Sequence, residues 1–159
     1  MSDLHMAARA EQFLYEYAAC LDEERFDTWV EMFNTVDCAY EVQSRENRDL
    51  GLPLPIMSCY THGMICDRVA MLAKGVLTFR RYHLLRQVSN VRVRRIDAES
   101  LLVNAGLVVH QSSEEGVPSL YMVARYEATL IESGENFLVK RMAVVVDSFG
   151  IDTMLAVPL

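Results

Sequence analysis

The hydrophobic pattern of this chain changes period part-way along its length, and that change restricts the folds it can adopt. In residues 4–22 the apolar side chains recur at helical intervals on one face: Ala10, Phe13, Leu14, Tyr17, Ala18 and Leu21. From His83 onward, apolar and polar residues alternate with the two-residue period of a strand. Helices followed by strands predict an α+β fold, with N-terminal helices packed on a curved, mainly antiparallel sheet.

Two further helices are predicted before the period changes. Asp27 is a good N-cap for a short helix over residues 28–33, from which Trp29 would pack inward. A longer helix is predicted over residues 58–74, and Gly75 suits its C-terminal end.

The segments around these helices are predicted from their capping and turn-forming residues. Ser2 or Asp3 would cap the first helix. Residues 38–43 fit a short strand. Residues 44–56 contain a glycine and two prolines, so they are predicted to form a loop.

Three long strands joined by hairpins are predicted in the second half. Alternation runs through residues 101–109 and 120–130, and turn-forming residues separate the strands at 112–116 and 133–136. Residues 137–149 are partly apolar on both sides, which predicts a central strand or one whose outer face is covered. The order of elements is similar to the cone-shaped, cystatin-like fold of the nuclear-transport-factor-like (SnoaL-like) superfamily.

Size and charge narrow the possible functions. The chain has 159 residues, which predicts a single domain over residues 1–159. Its net charge is −7 and its basic residues cluster only briefly at 92–95, which argues against nucleic-acid binding. No apolar run approaches the roughly 20 residues of a membrane span, and the first residues do not resemble a secretory signal. Four cysteines without a disulfide-scaffold pattern favour a reducing, cytoplasmic location.

One group of residues has the chemistry of a metal site. Cys59, His62 and Cys66 stand at i, i+3 and i+7 of the predicted third helix, so they share a side. Zinc binds these ligand types, but a structural zinc site needs a fourth ligand, and the sequence offers no paired-cysteine knuckle. The favoured interpretation is two small buried thiols beside a histidine on the helix surface.

Asp147 is the main candidate for acid–base chemistry, because it follows an apolar run in which burial would raise a carboxyl pKa. Five further residues could join it in a pocket as acids or hydrogen-bond donors: Tyr15, Tyr17, Tyr40, Tyr82 and His83. Alternatively, Asp147 pairs with Arg141 or with an arginine across a subunit interface. The pair Asp67–Arg68 either orients a substrate or, as favoured here, tethers its helix to a neighbouring element.

Arginines on the first long strand suggest an interface. Arg86, Arg92 and Arg94 share one strand parity, opposite Val91 and Val93. Guanidinium groups on a sheet face are suited to bind carboxylates of a partner. A solvated strand face is the alternative interpretation.

Several short motifs together resemble a known family. They are Phe26-x-x-Trp29-x-x-x-Phe33, the Arg45–Pro53 loop, Met64-x-x-Asp67-Arg68-Val69, Arg86, Asp147-Ser148 and the tail over residues 152–159. Their order and spacing resemble the small (beta) subunit of aromatic-ring-hydroxylating dioxygenases, the Rieske non-haem iron oxygenases. Within that family they resemble the terephthalate dioxygenase and salicylate 5-hydroxylase subgroup. One departure is Gln87, where related subunits often have histidine.

The resemblance implies a non-catalytic small subunit that supports a large oxygenase subunit in the degradation of an aromatic carboxylate. The family pattern is three large and three small subunits, with the small ones forming a trimeric base. The large subunit would hold the Rieske [2Fe–2S] cluster and the mononuclear iron, and electrons would come from NADH through a reductase, sometimes with a ferredoxin. This chain lacks the Cys-x-His and Cys-x-x-His pairs that a Rieske cluster needs. No catalytic, cofactor-binding or metal residue is therefore assigned to it.

Two alternatives remain open at the level of sequence. The first is a stand-alone dehydratase or isomerase with the cone fold, using Asp147 or Asp27 with a tyrosine or histidine. It requires an open pocket that contains these groups. The second is a ligand-binding or scaffold module of the same fold with no enzyme attached.

Overall fold

The helical and strand halves of the chain pack against each other as the periodicity predicts. A computed structural model describes residues 3–75, 82–151 and 155–159. The elements are α1 (Asp3–Asp22), α2 (Phe26–Glu31), β1 (Ala39–Ser44), α3 (Arg45–Asp49), β2 (Met57–Cys59), α4 (His62–Ala73), β3 (Tyr82–Arg95), β4 (Ser100–Ser113), β5 (Ser119–Ser133) and β6 (Asn136–Val146).

The strands form one six-stranded sheet in the order β2-β1-β6-β5-β4-β3. Strands β3 to β6 are a meander of antiparallel neighbours, which confirms the predicted hairpins. β1 pairs with β6 in parallel and with β2 antiparallel, so the sheet is mainly antiparallel. The helical half thus supplies β1 and β2 at one edge of the sheet, beside the last strand of the meander.

The core lies between α1 and the concave side of this sheet, a region termed here the cone interior. α1 contacts β3 and β6 and buries its predicted apolar face, including Leu14 and Tyr17. On β4, alternate residues from Leu101 to Val109 are buried, as their period of two requires. Burial of each such large aliphatic side chain contributes about 1.5–3 kcal/mol of transfer free energy.

β6 is the central strand that its two-sided apolar pattern predicts. It lies between β1 and β5 and buries Val144 on one face and Val145 on the other. The helix α3 contacts both β1 and β6. The outer face of β6 is therefore covered at least in part within the chain itself.

The prediction of a continuous loop over residues 44–56 is wrong. The Ser44 hydroxyl accepts a hydrogen bond from the Asn47 backbone N–H at 3.2 Å, which caps the five-residue helix α3. The prediction of a helix from residue 58 is also corrected, because Cys59 pairs with Tyr40 in the sheet. Thr61 is the N-cap of α4.

Of the other predicted helix caps, one is wrong and one is confirmed. The predicted N-cap Asp27 lies in the first turn of α2, and Arg25 occupies the cap position. Gly75 follows α4 with a φ of +67°, the left-handed conformation that glycine favours, so its predicted role is confirmed. The predicted cap at Ser2 or through the Asp3 side chain lies outside the described residues.

The prediction that Arg86, Arg92 and Arg94 share one face of the sheet is wrong, because β3 is irregular between them. The register of β3 against β4 shifts between Ser89 and Arg92, and Asn90 has a φ of +52°. A bulge inserts one extra residue and so reverses which side chains face the core. Arg86 is consequently buried, whereas Arg92 and Arg94 are exposed.

No helix in the described part of the chain is long and apolar enough to cross a membrane.

Truncating a core side chain should destabilise the fold in proportion to its burial. We expect Leu107→Ala to lower the free energy of unfolding by about 2–5 kcal/mol, because it leaves a cavity against β3 and β5. Leu120→Ala is the matched control, since Leu120 is 58% exposed whereas Leu107 is 1% exposed. Urea denaturation followed by circular dichroism measures both, and equal effects would contradict the placement of the core.

Candidate functional site

Aromatic side chains fill the cone interior. They come from α1, α2, β1 and β5 and from the turn after α2: Tyr17, Trp29, Phe33, Tyr40 and Tyr126. Each is at most 1% exposed. Ring centroids lie 4.9 Å apart for Trp29–Phe33 and 5.7 Å apart for Tyr17–Tyr126, both in edge-to-face geometry. The place where a cone-fold enzyme would need an open pocket is therefore packed with rings.

A buried ion pair stands beside these rings. Arg86 Nη1 donates to Asp22 Oδ1 at 2.5 Å, and the Arg86 backbone N–H also donates to the Asp22 carboxylate at 3.0 Å. The Arg86 side chain is fully buried, and Asp22 is the last residue of α1. The pair ties the end of α1 to β3 and compensates a charge that burial would otherwise disfavour.

The segment over residues 155–159 closes the cone interior. Arg86 Nη2 donates to the Pro158 carbonyl oxygen at 2.5 Å, and the Leu159 backbone N–H donates to the Tyr40 hydroxyl at 2.8 Å. Leu159 itself is fully buried. Residues 152–154 of the same predicted family tail lie outside the described residues.

Burial keeps the tyrosines of the cone interior in their neutral form. Burial raises the pKa of Tyr17, Tyr40 and Tyr126 above that of a free phenol, and the nearby Arg86 guanidinium offsets this only in part. At neutral pH their hydroxyls therefore remain protonated. This environment does not produce a general base.

The predicted acid–base cluster around Asp147 is not assembled. Asp147 forms an ion pair with Arg125 and lies 3.5 Å from Arg45 Nη1. Arg125 alternates with Tyr126 on β5, so Asp147 lies on the outer face of the sheet, away from the cone interior. The predicted partner Arg141 instead contacts Glu41 at 2.5 Å. The predicted pairing with Arg141 is wrong, and an arginine within the same chain neutralises Asp147.

The remaining acid–base candidates are dispersed. Asp27 and His83 are exposed, and so are Tyr15 and Tyr82. Tyr15 donates to a Glu11 side chain on its own helix at 2.5 Å. Of the predicted set, only Tyr17 and Tyr40 reach the cone interior. The geometry does not support the alternative of a stand-alone dehydratase or isomerase.

The candidate metal ligands lie on two elements, with Cys59 at the end of β2 and with His62 and Cys66 on α4. Cys66 Sγ lies 3.5 Å from His62 Nδ1, whereas the Cys59 thiol donates to the Met64 carbonyl oxygen at 3.7 Å. Arg68 lies beside Cys59, which agrees with its favoured role of tethering α4 to β2. Within the ranges 3–75, 82–151 and 155–159, no three His, Cys, Asp or Glu side chains are grouped so that they could hold a metal ion.

Ion pairs fix α3 on the outer face of the sheet. Arg48 contacts Glu127 of β5 at 2.5 Å, and Arg45 approaches Asp147 beyond β6. The segment that follows carries four exposed aliphatic side chains, here called the apolar loop: Leu50, Leu52, Leu54 and Ile56. The Asn47 side chain donates to the Leu54 carbonyl oxygen at 3.1 Å, which holds this loop against α3. An exposed run of aliphatic side chains of this kind is typical of a protein–protein contact.

Sequence reasoning does not single out Asp22 or Leu159 as site residues. Asp22 ends an apolar helix face directly after the buried Leu21, which marks it as a charge at the edge of the core. The contacts of Leu159 join it to Tyr40 across most of the chain, and local sequence patterns carry no signal for such a contact.

Comparison with known proteins identifies the family. A family model described as the ring hydroxylating beta subunit matches residues 16–153. The chain belongs to this family. It shares 34% identity with the anthranilate 1,2-dioxygenase small subunit of Burkholderia cepacia, over 90% of this chain and 88% of that protein. The beta subunit of a candidate aromatic-ring-hydroxylating dioxygenase from Novosphingobium aromaticivorans superposes with a TM-score of 0.87 at 28% identity, over 98% of both chains.

The family prediction and the predicted cone fold are therefore confirmed, whereas the subgroup stays a prediction. A terephthalate 1,2-dioxygenase beta subunit of Comamonas sp. shares 27% identity over 90% of this chain and 92% of that protein. That identity is lower than the 34% shared with the anthranilate enzyme's small subunit. The terephthalate-like motifs thus do not separate this chain from other beta subunits.

Removing one partner of the buried ion pair should destabilise the fold more than removing a surface charge. We expect Asp22→Ala to lower the free energy of unfolding by about 3–5 kcal/mol, because it leaves the buried Arg86 guanidinium uncompensated. Arg92→Met is the control and should change stability by less than about 0.5 kcal/mol, because Arg92 is exposed. Urea denaturation compares them, and a small effect of Asp22→Ala would show that water replaces the pair.

Stability should fall at alkaline pH because the folded state holds the tyrosine protons more tightly than the unfolded state. The pKa values of Tyr17, Tyr40 and Tyr126 are raised on folding, so their contribution is fully present below the unfolded pKa of about 10 and is lost as pH rises beyond it. Melting temperatures between pH 8 and about 12 measure this loss. Tyr126→Phe should make the decline shallower, and an unchanged decline would contradict the assignment.

Proposed function

We propose that this chain is the non-catalytic small subunit of a multicomponent aromatic-ring-hydroxylating oxygenase, which it supports and assembles. The filled cone interior carries the proposal. A member of the beta-subunit family here packs five rings where a cone-fold enzyme needs an open site. The candidate carboxylates, Asp147 and Asp27, lie outside that interior. In this proposal the chain therefore contributes its shape and its surface to the assembled oxygenase.

In this proposal the redox centres belong to a partner. The Rieske cluster and the mononuclear iron lie in the large subunit, and NADH supplies electrons through a reductase, in some systems with a ferredoxin. The sequence supports that division, because it lacks the Cys-x-His and Cys-x-x-His pairs of a Rieske cluster. We assign the chain no catalytic, cofactor-binding or metal residue.

The proposed assembly contains three large and three small subunits, with the small subunits as a trimeric base. The apolar loop supports a role in assembly, because a hydrogen bond from Asn47 holds it to α3, which is itself fixed to β5 by the Arg48–Glu127 ion pair. An already ordered surface loses less conformational entropy on binding. The substrate is proposed to be an aromatic carboxylate, as the names of the anthranilate and terephthalate relatives suggest.

The proposed location is the cytoplasm. Cys20, Cys38, Cys59 and Cys66 are all free thiols, which suits a reducing compartment.

The proposal is tested by co-expressing this chain with its tagged large subunit. The chain should be retained with the large subunit on an affinity column and should migrate with it on size exclusion at equal numbers of both subunits. Failure of the unaltered chain to co-purify would contradict the proposed function. A complex of other stoichiometry would contradict only the three-plus-three arrangement.

The apolar loop should determine how tightly the chain is retained. We expect the double variant Leu52→Asp/Leu54→Asp to weaken retention on the order of tenfold or more, because an apolar contact would then bury two carboxylates without counter-ions. Val117→Asp is the control, since Val117 is 89% exposed in the turn between β4 and β5. Equal retention of both variants would place the interface elsewhere on the surface.

A further inference from the structure

The cone interior contains more hydrogen-bonding capacity than its own packing uses. Four fully buried side-chain atoms lack a hydrogen-bond partner among the described residues: Tyr17 Oη, Trp29 Nε1, Arg86 Nε and Tyr126 Oη. The Trp29 ring N–H lies beside the Tyr17 hydroxyl without reaching good geometry. Buried polar groups are nearly always paired in native proteins, so a cluster of unpaired ones calls for a ligand or for water.

The same wall already binds part of its own chain. Arg86 donates to the Pro158 carbonyl oxygen and Tyr40 accepts from the Leu159 N–H, at 2.5 Å and 2.8 Å. Residues 155–159, termed here the plug, belong to no helix or strand. The plug is thus held by side chains of the wall and by apolar burial, without a strand ladder to anchor it.

We propose that the plug occupies a latent ligand site in the cone interior, and that this site accepts a small aromatic ring bearing a neutral hydrogen-bond acceptor. The edge-to-face rings of Tyr17, Trp29 and Tyr126 supply an apolar wall for such a ring. The unpaired N–H of Arg86 and that of Trp29 supply donors. The Pro158 carbonyl oxygen of the plug, which accepts from Arg86, is an acceptor of the proposed kind.

Charge sets the class of acceptor. Asp22 already neutralises Arg86 at 2.5 Å, so the wall has no surplus positive charge among these groups. The tyrosine hydroxyls are kept neutral by burial. A carboxylate entering this site would be a buried charge without a counter-ion, which is strongly disfavoured. An amide is favoured over a carboxylate.

The test uses the full chain and two variants that loosen the plug. Leu159→Lys places a charge at a fully buried position, and Tyr40→Phe removes the acceptor of the Leu159 N–H while keeping the ring. Phe149→Lys is the control, since it adds the same charge at a residue that is 77% exposed. Circular dichroism and a cooperative thermal transition establish that each variant is folded.

Two readouts report on the site. Trp29 is the only tryptophan of the sequence, so acrylamide quenching of its fluorescence reports access to the cone interior. Fluorine NMR of 4-fluorobenzamide and of 4-fluorobenzoate reports binding. In a folded plug variant we expect quenching and 4-fluorobenzamide binding to increase on the order of tenfold over the unaltered chain and the control, as loss of a buried hydrogen bond implies.

The outcomes separate clearly. If Leu159→Lys does not fold, Tyr40→Phe decides. Folded plug variants that keep Trp29 protected would overturn the proposal, and so would variants that open without binding 4-fluorobenzamide. Binding of 4-fluorobenzoate as tight as that of the amide would overturn the assigned ligand class. The result is independent of whether the chain assembles with a large subunit.

Discussion

The packing of aromatic rings in the cone interior is the constraint on which the rest of the structure depends. A curved sheet closed over α1 encloses a volume, and that volume must be filled by side chains, water or a ligand. Here Tyr17, Trp29, Phe33, Tyr40 and Tyr126 fill it, and the plug covers it. Because its described residues fill the interior, the cone itself offers no solvent-open acid–base pocket.

The charged residues follow from the same constraint. Arg86 is an arginine buried in the interior, where Asp22 and the Pro158 carbonyl oxygen accept some of its hydrogen bonds. Two further ion pairs lie on the convex side, where Arg125 neutralises Asp147 and Arg48 holds α3 to β5. Charge on this molecule therefore holds elements in place. The chain belongs to a family of beta subunits. An outer face on which ion pairs hold the elements together suits a supporting role.

The sequence predicts well those features that depend on local period. The face of α1, the hairpins of the meander and the central position of β6 all follow from which residues alternate or recur. The bulge near Asn90 is harder to predict because one extra residue reverses the parity of β3 without changing its composition. Strand parity alone therefore groups the buried Arg86 with the exposed Arg92.

Features that depend on contacts between residues far apart in the sequence cannot be predicted from the local period. Helix α3 forms in a segment containing residues typical of a loop, because Ser44 caps it and Arg48 meets Glu127. Asp147 meets Arg125 because β5 and β6 are neighbours, and their pairing register is a property of the whole sheet. The plug contacts residues on β1 and β3 that are far away in sequence.

The central claim is that this chain contributes shape and surface while a partner carries out the redox chemistry. Its most direct test is the iron content and visible spectrum of the two subunits, purified separately under anaerobic conditions and then mixed. The claim predicts a colourless, iron-free small subunit, with iron and the Rieske spectrum confined to the large subunit. It predicts aromatic turnover when the mixture is supplied with the reductase, NADH and oxygen. Iron bound stoichiometrically by the separate small subunit, or turnover of an aromatic acid by it alone, would contradict the claim.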